Sequence, residues 1–268
     1  MRRPEMPDDR SGGRSAHLTD GTRSLQRAIG ILRLMARMEA SGARLSDLAR
    51  LAEIPHPSMH RILKCLIAER LVVQDPVTRL YQLGPLNFEL GLATMHKTEF
   101  QQRFRPNLEQ IAAQTGDTAY LIARSGLDFV CLDRVEGSYP IRAVMLHVGG
   151  RRPLFLGAGG QSLMASLKPA EFDRMLRALG REIALAGMEP ESVRRGILRA
   201  REAGFGLVRD NAHLGVASLA ISIPEPSGAP RFAVSLAMVS DRMTPAHQGL
   251  ICTTIRTELA KFGDRLKG

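Results

Sequence analysis

Apolar positions recur at helical spacing early in the chain. Leu25, Ala28, Ile29, Leu32 and Met35 form one stripe, on a helix predicted to begin at the N-cap residue Ser24. Ile31 and Leu34 widen this stripe beyond what one core face needs, which predicts packing against a second subunit. A short helix follows from Ser46 and Asp47, with Leu45, Leu48, Ala49 and Leu51 apolar, and Ile54-Pro55 breaks it. Pro57 opens another helix, in the first turn, where its missing N–H is harmless. That helix is expected to bury Met59, Ile62, Leu63 and Leu66 and to expose Ser58, His60, Arg61 and Lys64. Strand-like runs at 71–73 and 80–83 flank a Pro-containing turn at 74–77, a two-stranded hairpin. Three helices followed by a hairpin describe a winged helix-turn-helix.

Beyond Gly84-Pro85 the pattern changes. A connecting helix is predicted over 88–95 and a long helix over 98–115. Strands are predicted at 118–123, 129–134, 141–148, 205–209, 216–223 and 232–238, and helices at 157–167, 169–178, 190–203 and 242–266. Strands outnumber the helices that could cross between them, so the sheet is expected to be antiparallel and flanked by helices, an α+β fold. The chain divides into a polar tail (1–22), a winged helix (23–84), a linker helix (85–97) and a second domain (98–268).

Composition fits this division. The 268 residues suit two domains, and 44% apolar with 24% charged residues is the balance of a folded globular chain. No run approaches the roughly 20 apolar residues of a membrane helix, and residues 1–22 lack a signal-peptide core. Cys65, Cys131 and Cys252 lie far apart without a CxxC pair, so a reducing cytoplasm is expected. The net charge is +10, and all but five of the 37 basic residues are arginine. Such a balance favours a polyanionic partner, although an Arg-rich surface of no special function would give the same count.

The spacing within 45–66 carries the first functional reading. Ala49 is small where two helices approach, the turn follows four residues later, and apolar Met59 lies ten residues on. This makes 57–64 a recognition helix for the major groove of double-stranded DNA. Arg61 can pair bidentately with a guanine, Ser58 and His60 can contact bases or phosphate, and Lys64 and the wing residue Arg79 suit phosphates. The same helix pair also occurs as a plain packing motif, and a winged helix can make protein contacts instead. Enzyme signatures are missing: the histidines form no HExxH, GAGG at 157–160 lacks the P-loop Lys-Ser/Thr, and GQSLM is not a GxSxG elbow. Neither catalysis nor a cofactor is expected. No metal site is expected either, although Cys131 with His147 or His213 offers zinc-ligating side chains.

Five segments resemble the IclR family of bacterial transcriptional regulators: SLQRAIGIL, RLSDLARLAEIPHPSMHRILKCL, YQLGPLNFELG, GGRRPLFLGAGGQSLMA and REAGFGLVRDNAHLGVASLAISI. The resemblance implies an N-terminal winged helix on DNA and a C-terminal GAF-like domain that binds a small effector. It also implies homodimers on palindromic operators, often paired as tetramers, that regulate neighbouring catabolic genes, with repression favoured. Three positions depart from the family pattern. Glu53 holds a turn position usually given to Gly, at a cost on the order of 1 kcal/mol in left-handed geometry. Pro57 replaces a usual Ser, and the usually acidic block before Leu-Gly has one carboxylate, Asp210.

The resemblance further implies an effector pocket. Ala158 and Gly159 match a helix start whose N–H groups receive a ligand carboxylate, which suits the positive end of a helix. Ser218, Val208, Leu236 and Met238 match lining positions, and Met145 and His147 are expected to close the pocket. Val208, Leu236 and Met238 also read as ordinary core. If all three line the site, it is apolar enough to prefer an aromatic or longer carboxylate over a two- or three-carbon oxoacid.

Overall fold

The computed structural model describes residues 20–38, 42–93, 98–141, 143, 146–210, 215–225 and 230–265. These fall into two compact units, one ending at Asn87 and one running from Phe88, with Ala36–Met38 grouped with the second. Among the described residues no helix is long and apolar enough to cross a membrane.

The first unit contains α1 (Asp20–Met35), α2 (Leu45–Leu51), α3 (His56–Ala68), β1 (Val72–Gln74) and β2 (Tyr81–Leu83). Its core is small: Ile31, Met35, Leu48, Met59, Leu63, Leu66, Val72 and Tyr81 are buried. Met59, Leu63 and Leu66 follow the i, i+4, i+7 spacing that puts them on one face of α3. Two helix ends use left-handed residues that are not glycine. After α2, Glu53 has φ of 54°, and the Ile54 N–H donates to the Ala49 carbonyl at 3.0 Å. After α3, Arg70 has φ of 57°, and the Leu71 N–H donates to the Leu66 carbonyl at 2.9 Å. Both are Schellman-type ends with a side chain where Gly is favoured. Gly84 has no such choice, because a Cβ there would lie 2.2 Å from the Arg70 carbonyl oxygen.

Two expectations for α1 need correction. The helix starts at Asp20, one turn before Ser24. Ile31 is fully buried within this unit and Leu34 is half-buried, so neither is surplus surface. The apolar surface on α1 is Leu25 (60% exposed) and Ile29 (40%), one turn apart. The amphipathic stripe was legible, but which edge of it met α2 and α3 depended on how α1 rotates against them.

α4 (Pro85–Ala93) joins the units in sequence, and α5 (Thr98–Thr115) opens the body of the second. The elements that follow are β3 (Thr118–Ser125), β4 (Asp128–Val135), β5 (Arg151–Pro153), a 3-10 turn (Leu154–Leu156) and α6 (Ala158–Ala165). Then come α7 (Pro169–Ala178), α8 (Gly180–Leu185), α9 (Pro190–Ala203), β6 (Gly206–Arg209), β7 (Val216–Ser222), β8 (Phe232–Val239) and α10 (Pro245–Arg265). The six strands form one antiparallel sheet in the order β5-β4-β3-β8-β7-β6.

Strand alternation builds two cores from this one sheet. Ala119 and Leu121 of β3, Leu219 of β7 and Val234, Leu236 and Met238 of β8 pack with α5 and α10. Tyr120, Ile122, Ala233 and Ala237 face the opposite side, with α6, α7, α8 and α9. The expected strand at 141–148 is absent: its described residues are irregular, and the edge beside β4 is taken by 149–153. The Ala143 carbonyl accepts from the Tyr120 hydroxyl at 3.1 Å, so a side chain meets the need that a ladder would otherwise meet. The six-residue α8 was not foreseen.

Candidate functional site

The first candidate surface lies on the first unit. Pro55 caps α3, and Pro57 occupies its first turn, where no intrahelical N–H bond is lost. With Met59, Leu63 and Leu66 turned inward, His60, Arg61 and Lys64 are exposed and Ser58 is half-buried. Ile62, expected to be buried, is half-buried.

The wing is held by its own loop. The Asp75 carboxylate accepts from the Val77 and Thr78 N–H groups at 2.9 and 2.7 Å, an Asx turn. The Thr78 backbone bond, joined by bonds from the Thr78 side chain and the Val77 backbone, holds the Asp75 carboxyl below its ordinary value of 3.8. Arg79 closes the loop with φ of 62°; its carbonyl takes a bond from Gln74 Nε2 at 3.0 Å, and its side chain is exposed. The surface thus presents donors and cations on a rigid helix and a pinned hairpin.

The second candidate is a cavity in the second unit, between the sheet and the start of α6. Its volume is about 70 Å³, several times the roughly 10–15 Å³ one buried water needs. Gly157, Ala158, Gly159, Val208 and Ser218 line it, and Phe129, Ile122, Leu146, Leu156 and Val216 make it largely apolar. Small residues let α6 come this close. A Cβ on Gly159 would sit 2.2 Å from Ile122 Cδ1, and one on Gly160 would sit 2.0 Å from the Leu154 carbonyl oxygen. The first intrahelical bond runs from the Gln161 N–H to the Gly157 carbonyl, which leaves the earlier N–H groups as free-end donors.

The structure thus gathers Ala158, Gly159, Val208 and Ser218 in one cavity and separates the other expected positions. Leu236 and Met238 lie on the opposite face of the sheet, fully buried beneath α5 and α10. Their neighbours Ser235 and Ala237 line the cavity instead. An offset of one residue along a strand exchanges its faces. His147 is exposed and does not line the cavity, whereas Leu146 does. Met145 and His213 lie outside the described residues.

Among the lining residues missed from the sequence, Arg152 is the charged one. Its signal was the Arg151-Arg152 pair on one short strand, which must point to opposite faces. Arg151 meets the Asp128 carboxylate at 3.2 Å. Arg152 pairs in register with Phe129 and faces the cavity, where burial pushes its guanidinium pKa down, partly offset by Tyr120. Among the described residues no three His, Cys, Asp or Glu side chains cluster to hold an ion. Burial, reinforced by the Asp133 charge, pushes the Cys131 thiol up to about 12.

Comparison with known proteins places this geometry. The family described as "IclR helix-turn-helix domain" matches residues 24–76, and "Bacterial transcriptional regulator IclR C-terminal" matches residues 92–260. The HTH-type transcriptional regulator BhcR of Paracoccus denitrificans is 29% identical over 92% of this chain and 88% of its own. The HTH-type transcriptional repressor AllR of Escherichia coli is 24% identical over 84% of this chain and 83% of its own. In fold, the chain resembles the crystal structure of an IclR family transcriptional regulator from Brucella abortus, with a TM-score of 0.72. That likeness covers 90% of this chain and 91% of the other at 19% identity. These relatives are transcriptional regulators and not enzymes, and the family profiles span both units. The chain belongs to the IclR family of bacterial transcriptional regulators and is a DNA-binding protein with an α+β second unit.

Proposed function

We propose that this protein is a ligand-responsive repressor that binds a palindromic operator as a homodimer, in the cytoplasm on the nucleoid, and controls neighbouring catabolic genes. The observation that carries the reading is the outer face of α3, where His60, Arg61 and Lys64 project beside Ser58. Arg61 reads a guanine in the major groove, Ser58 and His60 contact bases or phosphate, and Lys64 and Arg79 grip phosphates. The repressor named among the relatives supports the sign of regulation. Leu25 and Ile29 give α1 an exposed apolar face that suits burial between two copies.

The effector is a small organic carboxylate with an apolar body. Its charge meets the free N–H groups of Ala158 and Gly159, Ser218 offers a hydroxyl, and Val208 joins the apolar wall. Footprinting the region upstream of its own gene tests this reading. Two protected half-sites about one helical turn apart, released by a carboxylate, are expected. A single unsymmetrical footprint, or none, contradicts it.

A further inference from the structure

Among the described residues one buried side-chain polar atom has no hydrogen-bond partner, Oε1 of Gln161. The residue is only 7% exposed, and an enclosed acceptor left unpaired is a standing cost to the fold. Packing alone gives no reason to keep an amide there.

Gln161 lies on α6 but does not line the cavity at the start of that helix. It lines a second, separate groove between α9 and β6, the edge strand of the sheet. Val208 is the lining residue the two have in common. The groove holds about 550 Å³, inside the range of roughly 300–1,000 Å³ typical of small-molecule sites.

The α9 wall is made of small residues, with Ser192, Gly196 and Ala200 four apart on one face. Glycine weakens the interior of a helix, and at position 196 no crowding requires it. A Cβ on Gly196 would meet only the Gln161 amide, 3.7 Å from Nε2 and 3.9 Å from Oε1, which is ordinary contact. Gly206 differs, because a Cβ there would lie 2.2 Å from the Ala158 carbonyl oxygen. The missing side chain at 196 therefore leaves space beside the amide. A terminal amide torsion is broad and roughly two-fold, so Oε1 can turn into that space.

We propose that this groove is a second small-molecule site, for a carboxylate that carries an amide N–H, as N-acylated amino acids do. The N–H supplies the donor that Oε1 lacks, and the Ser192 hydroxyl can donate to the ligand carbonyl. Val193, Leu207 and Val208 offer an apolar wall to the ligand side chain. Arg199 and Arg209 stand against Asp210 at the groove, a balance that favours an anion. The site does not rest on the effector cavity.

The test uses the full-length protein and two probe pairs that differ by N–H against ester oxygen. These are N-acetyl-L-leucinate with its O-acetyl hydroxy-acid isostere, and N-benzoylglycinate with O-benzoylglycolate. Thermal stabilisation and calorimetry are read for wild type, Gln161→Met, Gly196→Leu, Ser192→Phe and Ala158→Leu. At least one amide acid is expected to bind wild type roughly threefold to tenfold more tightly than its ester, the range for one hydrogen bond. Gln161→Met erases that preference, and without ligand it melts at or above the wild-type temperature, because the unpaired amide is gone. Gly196→Leu fills the groove from within α9, and Ser192→Phe fills it from an exposed position, so each abolishes the response. Ala158→Leu blocks only the other cavity and leaves the response intact.

No stabilisation by either amide acid overturns the proposal, as do equal affinities for amide and ester. A preference that survives in Gln161→Met, or a response that survives in both groove-filling variants, also overturns it. A lower melting temperature for ligand-free Gln161→Met would show that the amide is structural. Loss of the response in Ala158→Leu would place the ligand in the effector cavity instead.

Discussion

Leu236 and Ala237 are adjacent on β8 and point to opposite faces of the sheet, so truncating one and enlarging the other have opposite consequences. Leu236→Ala removes three carbons from a fully buried site beneath α5 and α10. At about 0.8 kcal/mol per buried methylene, transfer alone accounts for roughly 2.4 kcal/mol. The space left behind raises the loss to roughly 3–5 kcal/mol. For a unit of this size, a melting temperature falls by about 2–4 °C per kcal/mol, hence by roughly 6–20 °C. Ala237→Leu puts three added carbons into the cavity of about 70 Å³, where they displace the effector without overfilling packed core. Differential scanning calorimetry of both full-length variants, with and without benzoate, phenylacetate or 3-methylbutanoate, separates the effects. Leu236→Ala melts early but is still stabilised by ligand, whereas Ala237→Leu melts near wild type and no longer responds. The reverse pattern refutes the assignment of faces and, with it, the location of the cavity.

Arg61→Ala is expected to cost about 1–3 kcal/mol on the operator and to relax one base position, while Lys64→Ala weakens all sequences alike. Footprints on operator and scrambled DNA distinguish the two. Leu25→Glu places a charge on the exposed apolar face of α1 and is expected to lower operator affinity and shift sedimentation toward monomer. Undiminished affinity would show that this face stays in water. Glu53→Gly is expected to stabilise the first unit by about 1 kcal/mol in urea melts, because its φ of 54° disfavours a side chain. The Asp75 carboxyl has a lowered pKa in the folded wing, so its turn contributes stability above the unfolded value of 3.8. That contribution is lost as pH falls through the folded value, and the protection of the Val77 and Thr78 amides, relative to their intrinsic exchange rates, should fall there.

The winged helix was legible because each element carries its own period and stop signals. α3 buries every third or fourth residue, Ile54-Pro55 ends the preceding run, and Asp75-Pro76 marks the hairpin loop. The unusual turn at Glu53 was also legible, and its backbone is left-handed as expected. The cavity was less so, because it is assembled from β3, β4, β5, β6, β7, β8 and α6. Ala158 and Gly159 could be placed because a helix start fixes them. Leu236 and Met238 could not, because both faces of β8 are buried and hydrophobicity does not mark its parity. Arg152 was passed over because an arginine in an Arg-rich chain looks like surface until its strand partner Phe129 is known. The run at 141–148 looked like a strand by composition, yet the free edge of β4 accommodates one neighbour and 149–153 takes it.

Sequence-specific DNA binding through α3 is tested most directly by fluorescence anisotropy. The full-length protein is titrated against the fragment upstream of its own gene and against a scrambled fragment, across a salt series. Binding to both fragments should weaken linearly in log–log form as salt rises, with the operator held at least about a thousandfold more tightly. Arg61→Ala should erase most of that preference while leaving the salt slope of non-specific binding nearly intact. Equal affinity of the wild type for both fragments, or binding indifferent to salt, would contradict recognition of DNA by this helix.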